Sequence, residues 1–146
     1  MVSTPRRAIN LGRQLAAIQA VLPHAQGAVH RGRLVCTVTL QPNVLCRVYT
    51  VKVTYRHRSS PRVRVIDPLL ELHPRATSLP HVYSGGDLCL YLPGEWTEDM
   101  LLARTILPWT CEWLLHYELW LITGRWAGSG EDHAVSPADE DAESER

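Results

Sequence analysis

Apolar residues recur at Leu11, Leu15, Ile18 and Leu22, an i, i+4, i+7, i+11 spacing, while Arg13, Gln14 and Gln19 fall off that stripe. An apolar stripe with this period is the mark of an amphipathic helix, and Pro23, which has no amide proton to donate, ends it. After a short polar stretch the period changes to two. Three strand-like runs follow. Arg33–Leu40 is rich in Val and Thr, residues 46–55 alternate Tyr49, Val51, Val53 and Tyr55, and residues 61–66 set Val63 and Val65 against Arg62 and Arg64. Gln41-Pro42-Asn43 and residues 56–60 read as the turns between them. Strands joined this closely form an antiparallel meander with one apolar face for a helix and one charged face for solvent.

From Asp67 to Trp96 both periods disappear. Pro68, Pro74, Pro80, Pro93 and the Gly85-Gly86 pair interrupt any regular element, and a structureless stretch of this length inside a compact domain is usually functional. Helical patterning resumes at Thr97, a good N-cap followed by Glu98 and Asp99, acids suited to a first turn. Pro108 predicts a break, with a short helix before it and a second helix over residues 108–123 that Gly124 caps. Trp109, Trp113, Tyr117, Trp120 and Leu121 form a wide apolar stripe, and the pattern accounts for them as core without a cofactor. Beyond Gly128-Ser129-Gly130 the tail holds seven acids, one Arg and no apolar periodicity. The expected organisation is therefore one domain over residues 1–130 and an acidic disordered tail over 131–146. The fold class is α+β: an N-terminal helix on a four-stranded antiparallel meander, with C-terminal helices.

A chain of 146 residues with 45% hydrophobic content has room for one packed core. Its 15 basic and 15 acidic residues cancel, but unevenly: residues 1–66 carry 11 bases and no acid, while residues 67–146 carry all 15 acids and four bases. Lys52, Arg56, Arg62 and Arg64 share the strand region without interleaved aromatics, so a solvated face is favoured over a nucleic-acid surface. His73, His81, His116 and His133 lack metal-ligand spacing, and no C-x-x-C pair occurs; no metal or other cofactor is expected. Cys36 and Cys46 flank the first predicted hairpin and read as core. The apolar stretch 106–123 contains Glu112, His116, Glu118 and a proline, which argues for a buried helix and against a membrane span. The segment 8–22 is too interrupted for a secretory signal, and although the Arg-rich, acid-free start shares features with a transit peptide, a reduced cytoplasmic protein is the expectation.

The informative stretch is residues 79–96, Leu-Pro-His-Val-Tyr-Ser-Gly-Gly-Asp-Leu-Cys-Leu-Tyr-Leu-Pro-Gly-Glu-Trp. Cys89 lies in a proline- and glycine-rich segment, three residues after a glycine, where an inert structural cysteine is seldom found. A thiolate there is a candidate nucleophile that forms and releases acyl thioesters. His81 is placed to act as a base or a hydrogen-bond donor.

The order of elements and this stretch resemble the ubiquitin-conjugating enzymes. In that family a His-Pro-Asn signature precedes the cysteine, a glycine stands three residues before it, and Leu and Trp follow. Here Pro80, Gly86, Leu90 and Trp96 match, and Pro61 looks like the proline ahead of the third strand. Leu79 stands in place of the signature histidine and His81 in place of the asparagine, eight residues before the cysteine. The local sequence, with Trp113-Leu-Leu-His-Tyr-Glu-Leu-Trp120 and Thr123-Gly-Arg-Trp-Ala-Gly128, is more similar to the conjugating-enzyme-like proteins of bacterial antiphage (type II CBASS) operons.

The resemblance implies a thioester-forming transferase in which Cys89 accepts the C-terminus of a partner protein, a CD-NTase-type (cGAS/DncV-like) nucleotidyltransferase, and passes it to an amine on a target. His81 would orient or stabilise the tetrahedral intermediate, as the family asparagine does, and Tyr83 and Asp87 would line the groove. With no glycine-rich phosphate loop, the chain is expected to rely on another protein to activate the carboxylate. A non-catalytic adaptor of the same fold is the alternative, and a protease acting on such conjugates a third reading. Without its tail the chain is +6, from +11 over 1–66 and −5 over 67–130. An acidic protein partner on the helix and sheet face is therefore expected, with binding that weakens as salt rises.

Overall fold

The computed structural model of the chain describes residues 7–127; the predicted acidic tail lies outside the described residues. Helix α1 spans Leu11–Val21, with Asn10 as its N-cap accepting from the Arg13 amide at 2.8 Å. Four strands follow: β1 (Gln26–His30), β2 (Arg33–Leu40), β3 (Tyr49–Arg56) and β4 (Arg62–Asp67). They form one antiparallel sheet in the order β1-β2-β3-β4. Long helix α2 covers Ile106–Thr123. The α+β meander expected from the sequence is the observed fold.

Period-two alternation decides which face each strand buries. Leu34, Cys36, Val38 and Leu40 from β2, Tyr49, Val51, Val53 and Tyr55 from β3, and Val63 and Val65 from β4 all point inward. They join Ile106, Leu107, Trp113, Leu114, Tyr117 and Trp120 of α2 in one core. Tyr49 crosses from sheet to helix: its ring meets Tyr117 edge-on at 6.4 Å and its hydroxyl donates to Glu118 Oε2 at 2.8 Å. The outward side chains of β2–β4 include Arg33, Arg56, Arg62 and Arg64, so the open face is basic.

Four expectations need correction. The stretch read as polar connection holds β1, a strand whose five residues are all exposed and show no alternation. It is a strand because it pairs with β2 through a two-residue turn, in which Arg31 and Gly32 both take positive φ (51° and 72°), the twist a tight hairpin needs. The strand after Pro61 is accordingly the fourth. The run predicted to start at residue 46 starts at Tyr49, because Asn43 Oδ1 accepts from the Leu45 and Cys46 amides and closes a turn there; Cys46 is thus a turn residue and not core. No α-helix begins at Thr97: Thr97 Oγ1 binds the Asp99 carboxylate, and a single 3-10 turn at Leu102–Arg104 follows. Pro108 does not divide α2, because it falls in the first turn, where backbone amides have no intrahelical acceptor anyway.

Helix α1 packs on β1, β2 and the 3-10 turn. Two features fix that docking. Gln14, assigned to the polar side, is fully buried: its Nε2 donates to Met100 O and its Oε1 accepts from the Leu102 amide, both at 2.9 Å. Gly27 lets α1 approach the sheet, since a Cβ there would stand 2.9 Å from Leu15 Cδ1 and 2.9 Å from Val35 O. Because the backbone oxygen cannot yield, Gly27→Ala is expected to cost about 1–3 kcal/mol of stability through overpacking. The shift in denaturant midpoint measures it, and an unchanged midpoint would show that α1 can move aside freely.

Candidate functional site

Residues 79–96 run as irregular chain that touches β4 at Val63 and Arg64 and α2 at Trp109 and Trp113. Buried Leu88 donates its amide to Val63 O of β4 at 2.8 Å and bridges Val82. Tyr83 N donates to Asp87 O at 2.9 Å and Gly86 N to Tyr83 O at 2.8 Å, closing a turn in which Gly86 adopts φ 95°, a conformation costly for any other residue. Arg64 of β4 clamps this turn, donating to Gly85 O at 2.6 Å and approaching Asp87 Oδ1 at 3.4 Å. Downstream, Trp96 is buried against Tyr55 at 5.1 Å and its Nε1 donates to Thr105 Oγ1 at 3.1 Å.

Cys89 sits half-buried between these anchors, one residue after Leu88. Its amide donates to the carbonyl of His81 at 2.8 Å, and that carbonyl also accepts from Trp113 Nε1 of α2 at 3.1 Å. His81 can present its carbonyl this way because its backbone is left-handed, at φ 53°. Asn, Asp and His tolerate that region better than other side chains, which gives a backbone reason for a histidine where the resembled family has asparagine. The ring of His81 stacks on Trp126 at 4.6 Å and 27°.

Two tyrosines flank the sulfur. Interaction of the Tyr83 hydroxyl with the Cys89 sulfur, then burial, pushes Tyr83 up to about 12, so it stays a neutral donor through the working pH range. Burial raises Tyr91 above its ordinary value, opposed by a hydrogen bond with Ser60, and its ring packs on Trp109 at 5.7 Å. Burial also raises the thiols of Cys36 and Cys111, while Cys46 is raised by desolvation and by the Glu118 carboxylate. All four cysteines are free. Because its contact with sulfur is the leading cause, Tyr83 is expected to ionise at lower pH in Cys89→Ala. Phenolate absorbance during a pH titration of the two proteins reports this; coincident curves would remove the Tyr83–Cys89 interaction.

The structure thus joins Cys89 to His81 through the backbone, with the His81 ring on Trp126, sets Tyr83 near the Cys89 sulfur, and directs the Asp87 carboxylate to Arg64. Three supporting residues went unassigned: Arg64, Trp113 and Trp126. A buried indole needs an acceptor for its N–H, so Trp113 on the apolar stripe carried a usable signal, whereas nothing in the spacing marks Trp126. Among the described residues no group of three or more His, Cys, Asp or Glu side chains could hold a metal, and no helix is long and apolar enough to cross a membrane. A thiol on an irregular segment pinned by hydrogen bonds, with a phenol beside it, is an arrangement capable of acyl transfer. The family model that describes the type II CBASS E2 proteins matches residues 14–134. No curated protein matches the chain.

Proposed function

The chain belongs to the type II CBASS E2 family, and from that premise we propose that it is a cysteine-dependent acyl carrier and transferase of bacterial antiphage defence. The Cys89 thiolate attacks the carbonyl of a C-terminal carboxyl already activated by another protein. A C–S bond forms, the activating group leaves, and the thioester then meets an amine of the target. An amide forms, the thiolate of Cys89 is released, and the amine gives up its proton. The carboxyl donor in this reading is the CD-NTase-type nucleotidyltransferase of the same system, whose transfer primes signalling, and the reaction belongs to the reduced cytoplasm, where a free thiol persists.

The observation that carries the reading is the placement of Cys89. It is the one cysteine in the irregular segment between β4 and α2, half-buried and beside the Tyr83 hydroxyl. The Cys89 amide is already committed to His81 O. That amide is not available to the tetrahedral oxyanion, and the side chains placed to stabilise it are Tyr83, a neutral donor, and the His81 ring as the second candidate. Asp87 serves by holding the turn through Arg64. Incubation with the activated partner tests the reading. Wild type should form a covalent adduct that thiol reductants cleave, and Cys89→Ala should form none. An adduct retained by Cys89→Ala would reject Cys89 as the acceptor, and full defence activity without it would leave the adaptor role.

A further inference from the structure

We propose that Trp126 is a positioning residue for the His81 imidazole, and that the turn after α2 exists to lay it there; this rests on the reading of Cys89 and His81 given above. Helix α2 stops at Gly124, whose φ of 75° reverses the chain and whose amide donates to Trp120 O at 2.7 Å. A Cβ at Gly124 would lie 3.1 Å from His73 Cε1, so the turn is both left-handed and tight. Thr123 Oγ1 donates to Leu119 O at 2.9 Å and accepts from the Arg125 amide at 3.1 Å, which fixes the direction of exit. One residue later the Trp126 ring lies nearly parallel to the imidazole of His81, with the centroids 4.6 Å apart. Trp113 at 5.3 Å and His116 at 5.9 Å also pack, tilted, on the indole.

Contacts thus hold His81 at both its backbone and its ring. Its carbonyl is held by the Cys89 amide and the Trp113 indole, and its ring by Trp126. The carbonyl contacts fix the backbone, and the stack restrains the side-chain torsions that set the ring's orientation. A group that must meet a tetrahedral intermediate in one orientation gains from being locked beforehand. This assigns a role to the Thr-Gly-Arg-Trp sequence at residues 123–126, which the proposed chemistry does not otherwise use.

The test uses Trp126→Ala and Trp126→Phe in the full chain. In wild type the ring current of a stacked indole should shift the His81 ε1 proton upfield, the resonance being assigned by its loss in His81→Asn. Trp126→Ala should abolish the shift and Trp126→Phe should keep part of it. In single-turnover assays Trp126→Ala should slow discharge of the Cys89 thioester to an amine about ten- to a hundredfold, with loading nearly unchanged. Trp126→Phe should recover most of the rate. In a His81→Ala background Trp126→Ala should add nothing, because the effect passes through the ring. Equal losses in loading and discharge, additive losses in the double variant, or no upfield shift in wild type would each overturn the inference. An upfield shift in wild type together with normal discharge by His81→Ala would mean that the chemical role of His81 has failed and the inference with it, the stack itself surviving as packing.

Discussion

Cys89→Ser is expected to convert a short-lived adduct into a long-lived one. A serine hydroxyl in the position of the sulfur is a far weaker nucleophile at neutral pH, so loading should fall by at least about 1,000-fold. The ester that does form lacks the poor orbital overlap that makes a thioester reactive, and it persists. The adduct should therefore resist thiol reductants and yield to alkali, whereas the wild-type adduct should yield to reductants. Tyr83 strengthens the contrast, because its neutral hydroxyl is near enough to interact with the atom at position 89. Gel mobility after treatment with reductant or base, with the site confirmed by peptide mass, decides the matter. A Ser variant that loads and discharges like wild type would contradict nucleophilic catalysis at this position. A conjugate that accumulates only when Cys89 is disabled would point to a protease instead.

The second large effect is structural and concerns a residue far from Cys89 in sequence. Gln14→Leu puts a somewhat bulkier apolar side chain at the site and removes both hydrogen bonds that join α1 to the chain entering α2, those to Met100 O and from the Leu102 amide. Leu102 is itself fully buried, so its amide cannot recover a partner from water. At about 1–3 kcal/mol for each stranded group, the variant should lose about 2–6 kcal/mol. Exposed Gln19 supplies the control, for which replacement by leucine should stay within about 0.5 kcal/mol. Urea unfolding with an unchanged slope measures both. Near-equality of the two variants would mean that the α1 contact contributes little. Because the 3-10 turn touches both helices, loss of Gln14 should also loosen the start of α2, whose Trp113 reaches His81.

The same residue shows how far sequence reasoning reached. Helix α1, the inward faces of β2–β4 and the Gly124 cap were legible because each depends on side-chain period or local backbone preference over a few neighbours. The irregular segment that carries Cys89 and His81 was legible because proline and glycine exclude regular structure there. Strand β1 was not legible: its residues are all exposed, so no alternation records its pairing with β2. The start of α2 was misplaced because a proline is read as a break unless its position within the first turn is known. Gln14 was put on the wet side because polarity was its only local attribute.

By itself, then, the amino-acid sequence determined a helix followed by an antiparallel meander, a nucleophile candidate in an irregular segment, and a basic first half. Those properties arise from neighbours a few residues apart. Only the tertiary structure decided what the polar atoms do. It spent the Cys89 amide on His81, sent Asp87 to Arg64, buried Gln14 against a segment 88 residues away, and brought Trp126 over His81. Hydrogen bonds and ring contacts act over only a few ångströms, so their partners exist only once packing has brought distant segments together.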